Sequence, residues 1–510
     1  MAWRSNQIST ISEILIISLS FDHKTASMNK QNIPGKTIFT FIFIFLIIVG
    51  ATQSRIATVQ QKIIEWQSTP GLANASVGIT ISDNQTGEQL IRSEPQLSLM
   101  PASIMKLVTT ATALEYFGPD YRFSTILSYS GTIRNDTLFG DLQIIGGGDP
   151  TLGSMYFPEG KNFQDEWIKA LQNRNIRVIF GNLVADATIY EQQTIPGTWV
   201  WEDIGNYYGA GASGISVYDN LYEIHLSSEI AADQPTKVIG INPEIPGLDL
   251  QNEVLSSDLN SDQAYVFGSP MDIRRIIRGT IPKNKNDFVI KASIPGPAAL
   301  LASEFRRKLA ETGISISGET RFEKAKAVNE QIALTQSPPL RDIIRVTNHE
   351  SVNLFAEHLL KHLAFQNTGV GTTKDGCKYV IQFWKEKGLD MTGFFMNDGS
   401  GLSRFNAVTA SQMVGILNYM KNKSAYSDDF YQSLPSAGNG TLTVFQNENF
   451  PKQSLHAKSG SMTRVRCYAG YLTTISGREL SFAVMLNNFS CSQAETIKKI
   501  EELLVELRKL

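Results

Sequence analysis

The stretch MPASIMKLVTT (Met100–Thr110) places a serine and a lysine three residues apart at the start of an apolar segment. The apolar spacing predicts a helix that runs to Tyr116 and is closed by Gly118. On a helix, positions i and i+3 share a face, so the Ser103 hydroxyl and the Lys106 amine can touch. Lysine activates a serine nucleophile only when its amine is neutral. The pairing predicts a nucleophile and its base, and the alternative is that Ser103 only caps the helix.

Two later motifs supply further reactive groups. Lys458 precedes a serine and a glycine on a predicted strand, and a second cation near Lys106 would lower the pKa of that amine. Ser351 and Asn353 head a predicted helix and offer a hydroxyl for proton relay and an amide for gripping a peptide group. Each has a structural alternative, a helix cap for Ser351 and an exposed strand residue for Lys458. The order S-x-x-K, S-x-N, K-[ST]-G is the active-serine set of penicillin-binding proteins and serine β-lactamases.

Length and pattern predict a divided architecture. A chain of 510 residues with 42% hydrophobic composition is too long for one core, and two or three domains are expected. Strand patterns dominate to about residue 290, between two segments that mix strands and helices. We predict an α/β (α+β) fold in which a catalytic domain, residues 55–120 and 291–510, is interrupted by large β-rich inserted domains at 121–290. The net charge of -3 argues against nucleic-acid binding.

The N-terminal region, residues 1–54, reads as an extension and a secretory signal. A lysine flank, an apolar core and small residues follow one another in KTIFTFIFIFLIIVGATQS (Lys36–Ser54). Counting from Met28 gives a signal of normal proportions, so we expect translation to start there. The alternative is an uncleaved membrane anchor, and either reading predicts a periplasmic or otherwise extracytoplasmic protein.

No cofactor or metal site is predicted. The three cysteines are widely separated and indicate no disulfide framework. His358 and His362 have i, i+4 spacing but lack the H-E-x-x-H form, and Gly35-Lys36-Thr37 lacks the upstream glycine of a phosphate loop.

Further segments strengthen a family resemblance. The stretches that carry it are MPASIMKLVTTATALEYFGPDYRF, GGGDPTL, YGAGASGISVYDN, ASIPGPAAL, SVNLFAEHLL, NDGSGLSRFN and HAKSGSM. Together they resemble the D-alanyl-D-alanine carboxypeptidase/endopeptidase family, the class C low-molecular-mass penicillin-binding proteins of peptidase family S13. The separation of 245 positions between Lys106 and Ser351 leaves room for this family's two extra domains. The resemblance implies a penicillin-binding protein/serine β-lactamase-like transpeptidase fold, with an antiparallel sheet flanked by helices.

The resemblance also implies catalytic roles in an acyl-enzyme mechanism. Ser103 would attack the carbonyl of the penultimate D-Ala, and Lys106 would take its proton. Ser351 would relay that proton to the leaving amine, while Asn353 would hold the substrate amide. The expected substrates are peptidoglycan stem peptides and cross-links, with β-lactam antibiotics as covalent inhibitors.

The third motif is expected to bind the leaving residue. Lys458 and Ser459 would hold its carboxylate. The backbone N–H groups of Ser103 and of Ser461, which follows Gly460, would form the oxyanion hole. The sequence has KSG where the family more often has KTG, which keeps the hydroxyl.

Two further residues are weaker candidates. Asp149 in GGGDPTL and Arg404 in GSGLSRFN are candidates to contact the distal amine and carboxylate of a diaminopimelate side chain. The alternatives are a turn aspartate and a structural arginine. We expect the final helix to pack on the sheet, so membrane contact is at most peripheral.

Two other functions share some of these features. A β-lactamase has the same three motifs, but the sequence lacks the Glu-x-x-Leu-Asn loop of the class A deacylating base. A catalytically weak peptidoglycan-binding or scaffold protein would depend on the inserted domains, and the intact motifs argue against it.

Overall fold

The structure is a computed structural model, which describes residues 55–270, 272–326, 330–446 and 448–510. The predicted extension and signal, residues 1–54, lie outside the described residues. Among the helices that are described, none combines the length and apolarity needed to cross a bilayer.

Eleven α-helices occur in the described part of the chain, and we number them in chain order. They are α1 (55–67), α2 (Met105–Phe117), α3 (Phe163–Asn173), α4 (Trp201–Ile204), α5 (Pro297–Glu311), α6 (Leu340–His349), α7 (Asn353–Thr368), α8 (Thr373–Glu386), α9 (Ala410–Asn422), α10 (Ser427–Gln432) and α11 (Gln493–Arg508).

The same residues contain twenty strands. They are β1 (Ser76–Asp83), β2 (Gln89–Ser93), β3 (Ser124–Tyr129), β4 (Thr132–Arg134), β5 (Thr137–Phe139), β6 (Leu142–Ile145), β7 (Val178–Phe180), β8 (Leu183–Asp186), β9 (Leu221–Ser228), β10 (Lys237–Asn242), β11 (Asp249–Ser257), β12 (Tyr265–Phe267), β13 (Arg274–Pro282), β14 (Lys285–Ser293), β15 (Ser315–Ile316), β16 (Thr320–Arg321), β17 (Glu330–Gln336), β18 (Leu455–Met462), β19 (Val465–Thr473) and β20 (Glu479–Asn487).

A five-stranded antiparallel sheet joins the two ends of the described chain in the order β18-β19-β20-β1-β2. Successive side chains of β20 point to opposite faces of the sheet, and both faces are apolar. Ala483 and Met485 pack in the core that contains α2 and α9, while Val484 packs in the core that contains α11. The predicted antiparallel sheet flanked by helices, and the packing of the final helix on it, are therefore confirmed.

Helix α2 is buried on all sides, which the apolar run in the opening stretch predicts. All ten residues from Met105 to Leu114 are buried. Its threonines hydrogen-bond within the protein, as where Thr109 Oγ1 donates to the Gly399 carbonyl at 2.7 Å. The helix ends at Phe117, one residue beyond the predicted end, because Gly118 takes a positive φ of 77°. This central position holds the nucleophile segment rigidly.

The strand-rich middle of the chain forms four further sheets. Their strand orders are β10-β9-β14, β11-β13-β12, β15-β7-β5-β4 and β16-β8-β6-β3-β17. The predicted dominance of strands is confirmed, although α3 interrupts it. The predicted division into domains stays a prediction. Strands β15, β16 and β17 pair with strands of the inserted segment, which favours a second boundary after residue 336 rather than at 290.

Candidate active site

The nucleophile candidate lies on a tight turn at the start of α2. Ser103 is the middle residue of a 3-10 turn, Ala102–Ile104, and is partly exposed while both of its neighbours are buried. Ala102 has a φ of 47°, a left-handed conformation that is costly for a residue with a Cβ. Strained backbone of this kind concentrates at functional sites. The turn presents one hydroxyl at the surface of a buried helix.

Lys106 is brought to that hydroxyl, as the i, i+3 spacing predicts. Its side chain is fully buried, and its Nζ lies 3.1 Å from Ser103 Oγ. The amine also donates to Asn353 Oδ1 at 2.5 Å and to the Ser400 carbonyl at 2.7 Å. The structure therefore brings together the first and second motifs around one buried amine.

Burial sets the protonation state of this amine. Desolvation lowers the pKa of Lys106 from 10.5 to about 7, and the charges of Asp398 and Glu357 oppose that shift. The largest cause is thus burial, whereas the sequence also predicted a neighbouring cation. An amine with this pKa is substantially neutral near pH 7 and can act as a base.

Two buried acids near Lys106 were missed by sequence reasoning. Glu357, on α7, accepts from the Gly399 and Ser400 N–H groups at 3.0 and 2.8 Å, and burial raises its pKa to about 7. Asp398 accepts from the Trp199 indole at 2.8 Å. The single acid in the apolar run SVNLFAEHLL could have indicated Glu357, since an acid in a buried helix needs partners. These acids fix the loop whose Ser400 carbonyl holds Lys106.

The second motif contributes mainly through Asn353. Its Oδ1 accepts from Lys106, and its Nδ2 donates to the Tyr208 carbonyl at 2.8 Å. Ser351 precedes α7 and has a φ of 60°, a second strained non-glycine residue beside the site. No described residue gives its hydroxyl a hydrogen bond, so its relay role stays a prediction.

Strand β18 carries the third motif against the nucleophile turn. A Cβ on Gly460 would lie 2.5 Å from the Pro101 carbonyl oxygen and 3.0 Å from Ser103 N, so only glycine fits. Ser459 is nearly buried and Ser461 is exposed. This close approach sets β18 beside the backbone N–H of Ser103, where the predicted oxyanion hole would lie.

Lys458 is the second cation of the site. It is fully buried, and its Nζ donates to the Ser459 carbonyl at 2.8 Å. Burial holds the pKa of Lys458 well below its usual value, and the charges of Lys106 and Arg466 lower it further. A bound carboxylate would raise this pKa again and favour the charged ammonium form.

Asp149 has the contacts of a turn aspartate, which was the alternative to a role in substrate binding. Its Oδ1 accepts from the Thr151 backbone N–H at 2.8 Å and from the Thr151 hydroxyl at 2.7 Å. Its side chain is buried, and desolvation raises its pKa to about 6. Its predicted contact with substrate stays a prediction, and the structure does not favour it.

Arg404 is exposed and lies near a different acid, Asp203. Burial raises the pKa of Asp203, while a hydrogen bond from Tyr208 and the charge of Arg404 lower it. Since Tyr208 also accepts from Asn353, this acid and arginine adjoin the second motif. The sequence did not indicate Asp203, because chain order does not show which loops lie close together, and the predicted substrate contact of Arg404 stays a prediction.

The two helical histidines have separate hydrogen-bond partners. His358 Nε2 lies 2.9 Å from Ser216 Oγ, and His362 Nε2 lies 2.6 Å from the Tyr121 hydroxyl. Burial lowers their pKa values to about 3 and about 4, so both are neutral. Their contacts are those of core histidines that join α7 to neighbouring segments.

Comparison with known proteins gives relatives along most of the chain. The chain is 27% identical over 457 residues to the D-alanyl-D-alanine carboxypeptidase of Actinomadura sp. (strain R39), covering 87% of this chain and 83% of that protein. It is 24% identical over 415 residues to the D-alanyl-D-alanine carboxypeptidase DacB of Haemophilus influenzae, covering 79% and 83%.

A solved structure agrees in fold. The crystal structure of penicillin binding protein 4 (dacB) from Haemophilus influenzae superposes with a TM-score of 0.77 at 22% identity, covering 89% of this chain and 99% of that one. This likeness confirms the predicted fold class. The D-Ala-D-Ala carboxypeptidase 3 (S13) family matches residues 59–509, which confirms the resemblance found in the motifs. The chain therefore belongs to the D-Ala-D-Ala carboxypeptidase 3 (S13) family.

Proposed function

We propose that this protein is a serine-type D-Ala-D-Ala carboxypeptidase that acts on peptidoglycan stem peptides through an acyl-enzyme on Ser103. Family membership supports the reaction class. The observation that carries the mechanism is the fully buried Lys106 amine, whose Nζ lies 3.1 Å from the Ser103 hydroxyl.

Acylation follows from this contact. Neutral Lys106 takes the proton of Ser103 as Oγ bonds to the carbonyl carbon of the penultimate D-Ala. The carbonyl oxygen becomes an oxyanion that the N–H groups of Ser103 and Ser461 stabilise, each by typically ~3 kcal/mol. The C–N bond then breaks, and the proton returns through Ser351 to the leaving amine. D-Ala departs, and water hydrolyses the ester.

Lys458 anchors the carboxylate of the leaving residue. Burial, together with the charges of Lys106 and Arg466, disfavours the ammonium form of Lys458. An incoming carboxylate favours the ammonium form and gains a charge-assisted hydrogen bond. Ser459 adds a hydroxyl donor to the same anion.

The same anchor supports a second reaction, cleavage of cross-links by the same site. In a cross-link the leaving amine belongs to the D-centre of a diaminopimelate, which carries a carboxylate next to the scissile amide. Lys458 would meet this anion as it meets that of D-Ala. Endopeptidase activity therefore needs no further group.

The third residue of the stem peptide would lie beside the second motif. Arg404 and Asp203 lie close enough for their charges to interact, and Tyr208 joins them to Asn353. They match the carboxylate and amine of a diaminopimelate side chain better than Asp149, whose Oδ1 already accepts two hydrogen bonds.

β-Lactams are proposed as covalent inhibitors. The lactam carbonyl and its adjacent carboxylate present the same groups as acyl-D-Ala-D-Ala. The Haemophilus influenzae protein of the same fold has also been solved in complex with a β-lactam. The substrate's location, together with the predicted signal, supports an extracytoplasmic site of action.

Mass spectrometry of products from purified muropeptides tests the proposal. Wild-type protein should release one D-Ala from each pentapeptide stem and bind penicillin one to one on Ser103. Ser103→Ala should abolish both while preserving the folded state, because the change removes one oxygen. Labelling or D-Ala release that persists in this variant would refute the proposed nucleophile.

A further inference from the structure

A cleft beside the candidate active site belongs to none of the motifs. It has a volume of about 550 Å³ and is lined by the loop that carries Tyr207 and Tyr208, by β12 and by β14. This volume is ordinary for a small-molecule site. The cleft is large enough to hold part of a substrate that extends beyond the catalytic serine.

The cleft adjoins the second motif through two of its lining residues. The Tyr208 carbonyl accepts a hydrogen bond from Asn353 at 2.8 Å. The Tyr156 ring lies 5.9 Å from the ring of Phe355, two residues further along α7 than Asn353. Asn353 in turn binds Lys106, which reaches Ser103. A substrate bound at the nucleophile could therefore extend into the cleft through a few of its own residues.

Exposed aromatic rings dominate the wall of the cleft. Tyr207 is 56% exposed and Tyr265 is 37% exposed, although burial of such rings would be favourable. Along β12 the side chains alternate, so Val266 is buried while Tyr265 and Phe267 share the outer face. Phe267 continues the row to Trp201, whose ring lies 5.1 Å away.

Polar groups in the cleft are free to bind a ligand. Within the described part of the chain, no hydrogen bond is made by the hydroxyls of Tyr156, Tyr207 and Tyr265. The Lys291 ammonium lies 3.9 Å from the Met155 thioether, and its charge partly offsets the burial that raises the pKa of Asp219, but it forms no ion pair with a described residue. Flat apolar faces beside unused hydroxyl and ammonium donors suit a pyranose, whose C–H face stacks on rings while its substituents accept hydrogen bonds.

We propose that this cleft binds an amino sugar of the glycan strand to which the stem peptide is attached. The inference rests on the proposed function, because the sugar belongs to the substrate of that reaction. Three residues separate the penultimate D-Ala from the sugar, and an extended chain of that length spans about 10 Å. Occupation of the cleft would make the enzyme prefer stems still attached to glycan.

The test compares two substrates that differ only in the sugar, a disaccharide pentapeptide and the free pentapeptide. Wild-type kcat/KM should be about tenfold higher on the sugar-bearing substrate. Tyr265→Ala should remove most of that preference, and Tyr265→Phe should keep the larger part of it, because the stacking ring remains and only one hydroxyl donor is lost. Phe180→Ala, which removes an exposed ring on β7 outside the cleft, is the control and should change neither value.

Binding gives a readout that does not depend on turnover. Ser103→Ala protein should bind the disaccharide tetrapeptide about tenfold more tightly than the free tetrapeptide by calorimetry, and Tyr265→Ala in that background should equalise the two. Equal wild-type affinity and kcat/KM for both substrates would overturn the inference, as would a Tyr265→Ala effect of the same size on both. Those results would not affect the proposed function. The proposed function fails only if neither peptide is cleaved.

Discussion

Two lysines, Lys106 and Lys361, are buried equally deeply but have opposite surroundings. The Lys361 ammonium donates to the Gln193 and Ala212 carbonyls at 2.7 and 3.2 Å and lies 3.5 Å from Glu191. Lys106 instead meets a hydroxyl, an amide oxygen and one carbonyl, and it forms no ion pair with a described residue. Burial alone lowers both pKa values. A buried lysine is therefore identified as a candidate base when its amine contacts a hydroxyl and forms no ion pair with an acid.

The largest expected effect is at Lys106. Lys106→Arg keeps charge and bulk but removes the base, because a guanidinium does not deprotonate in proteins. Acylation by penicillin should fall by about 10³-fold or more, within the range attributed to general acid–base catalysis. Stopped-flow measurement of acylation on folded protein checks this. An arginine variant of near wild-type rate would mean that the proton goes elsewhere.

Lys458 is a third buried lysine, and its expected partner is the substrate. Lys458→Ala should depress pentapeptide hydrolysis, cross-link cleavage and penicillin acylation together, by about 2 to 4 kcal/mol in transition-state stabilisation. Kinetics on the three substrates measures this. Loss of one reaction with retention of another would show that they do not share the anchor.

Lys361 should affect stability rather than chemistry. Lys361→Met removes the donor to the Gln193 and Ala212 carbonyls and the ion-pair partner of Glu191, and we expect the free energy of unfolding to drop by about 3 kcal/mol. Acylation of the folded variant should stay within a few-fold of wild type. Denaturant titration measures the difference, with the exposed Lys378→Met on α8 as control, for which a change below about 0.5 kcal/mol is expected. A large loss of acylation in folded Lys361→Met would end the distinction between the two lysines.

The smallest effect is a shift of the pH profile. Lys106 is active when neutral, so acylation should rise with pH through about 7. The charge of Glu357 raises the pKa of Lys106. Glu357→Gln should therefore move the rising limb of the pH–acylation profile to lower pH, by about one unit or less.

Acylation rates from pH 5 to 9 locate the midpoint of that limb. Asp186→Asn, at a buried acid on β8, is the matched control and should leave it unchanged. A midpoint that moved upward in Glu357→Gln would contradict the proposed electrostatics.

Much of the site follows from local sequence. The spacing of Ser103 and Lys106 fixes their contact because a helical turn is short and regular. The short apolar runs of the C-terminal strands, separated by the turn at Ser476-Gly477, likewise indicate β19 and β20, which are buried on both faces. The order of the three motifs then indicates the chemistry before any fold is known.

Contacts between distant segments required the tertiary structure. Glu357, Asp398 and the Ser400 carbonyl surround Lys106 only because α7 and the loop after α8 pack on α2. The charge of Arg404 acts on Asp203 for the same reason.

The sequence by itself identified the family and predicted the nucleophile and its base, because these depend on short motifs and spacings along the chain. The tertiary structure decided the protonation of Lys106, since desolvation is a property of everything packed around the amine. It also decided which acids, rings and carbonyls face the site, because long-range packing is not encoded in the spacing of any one motif.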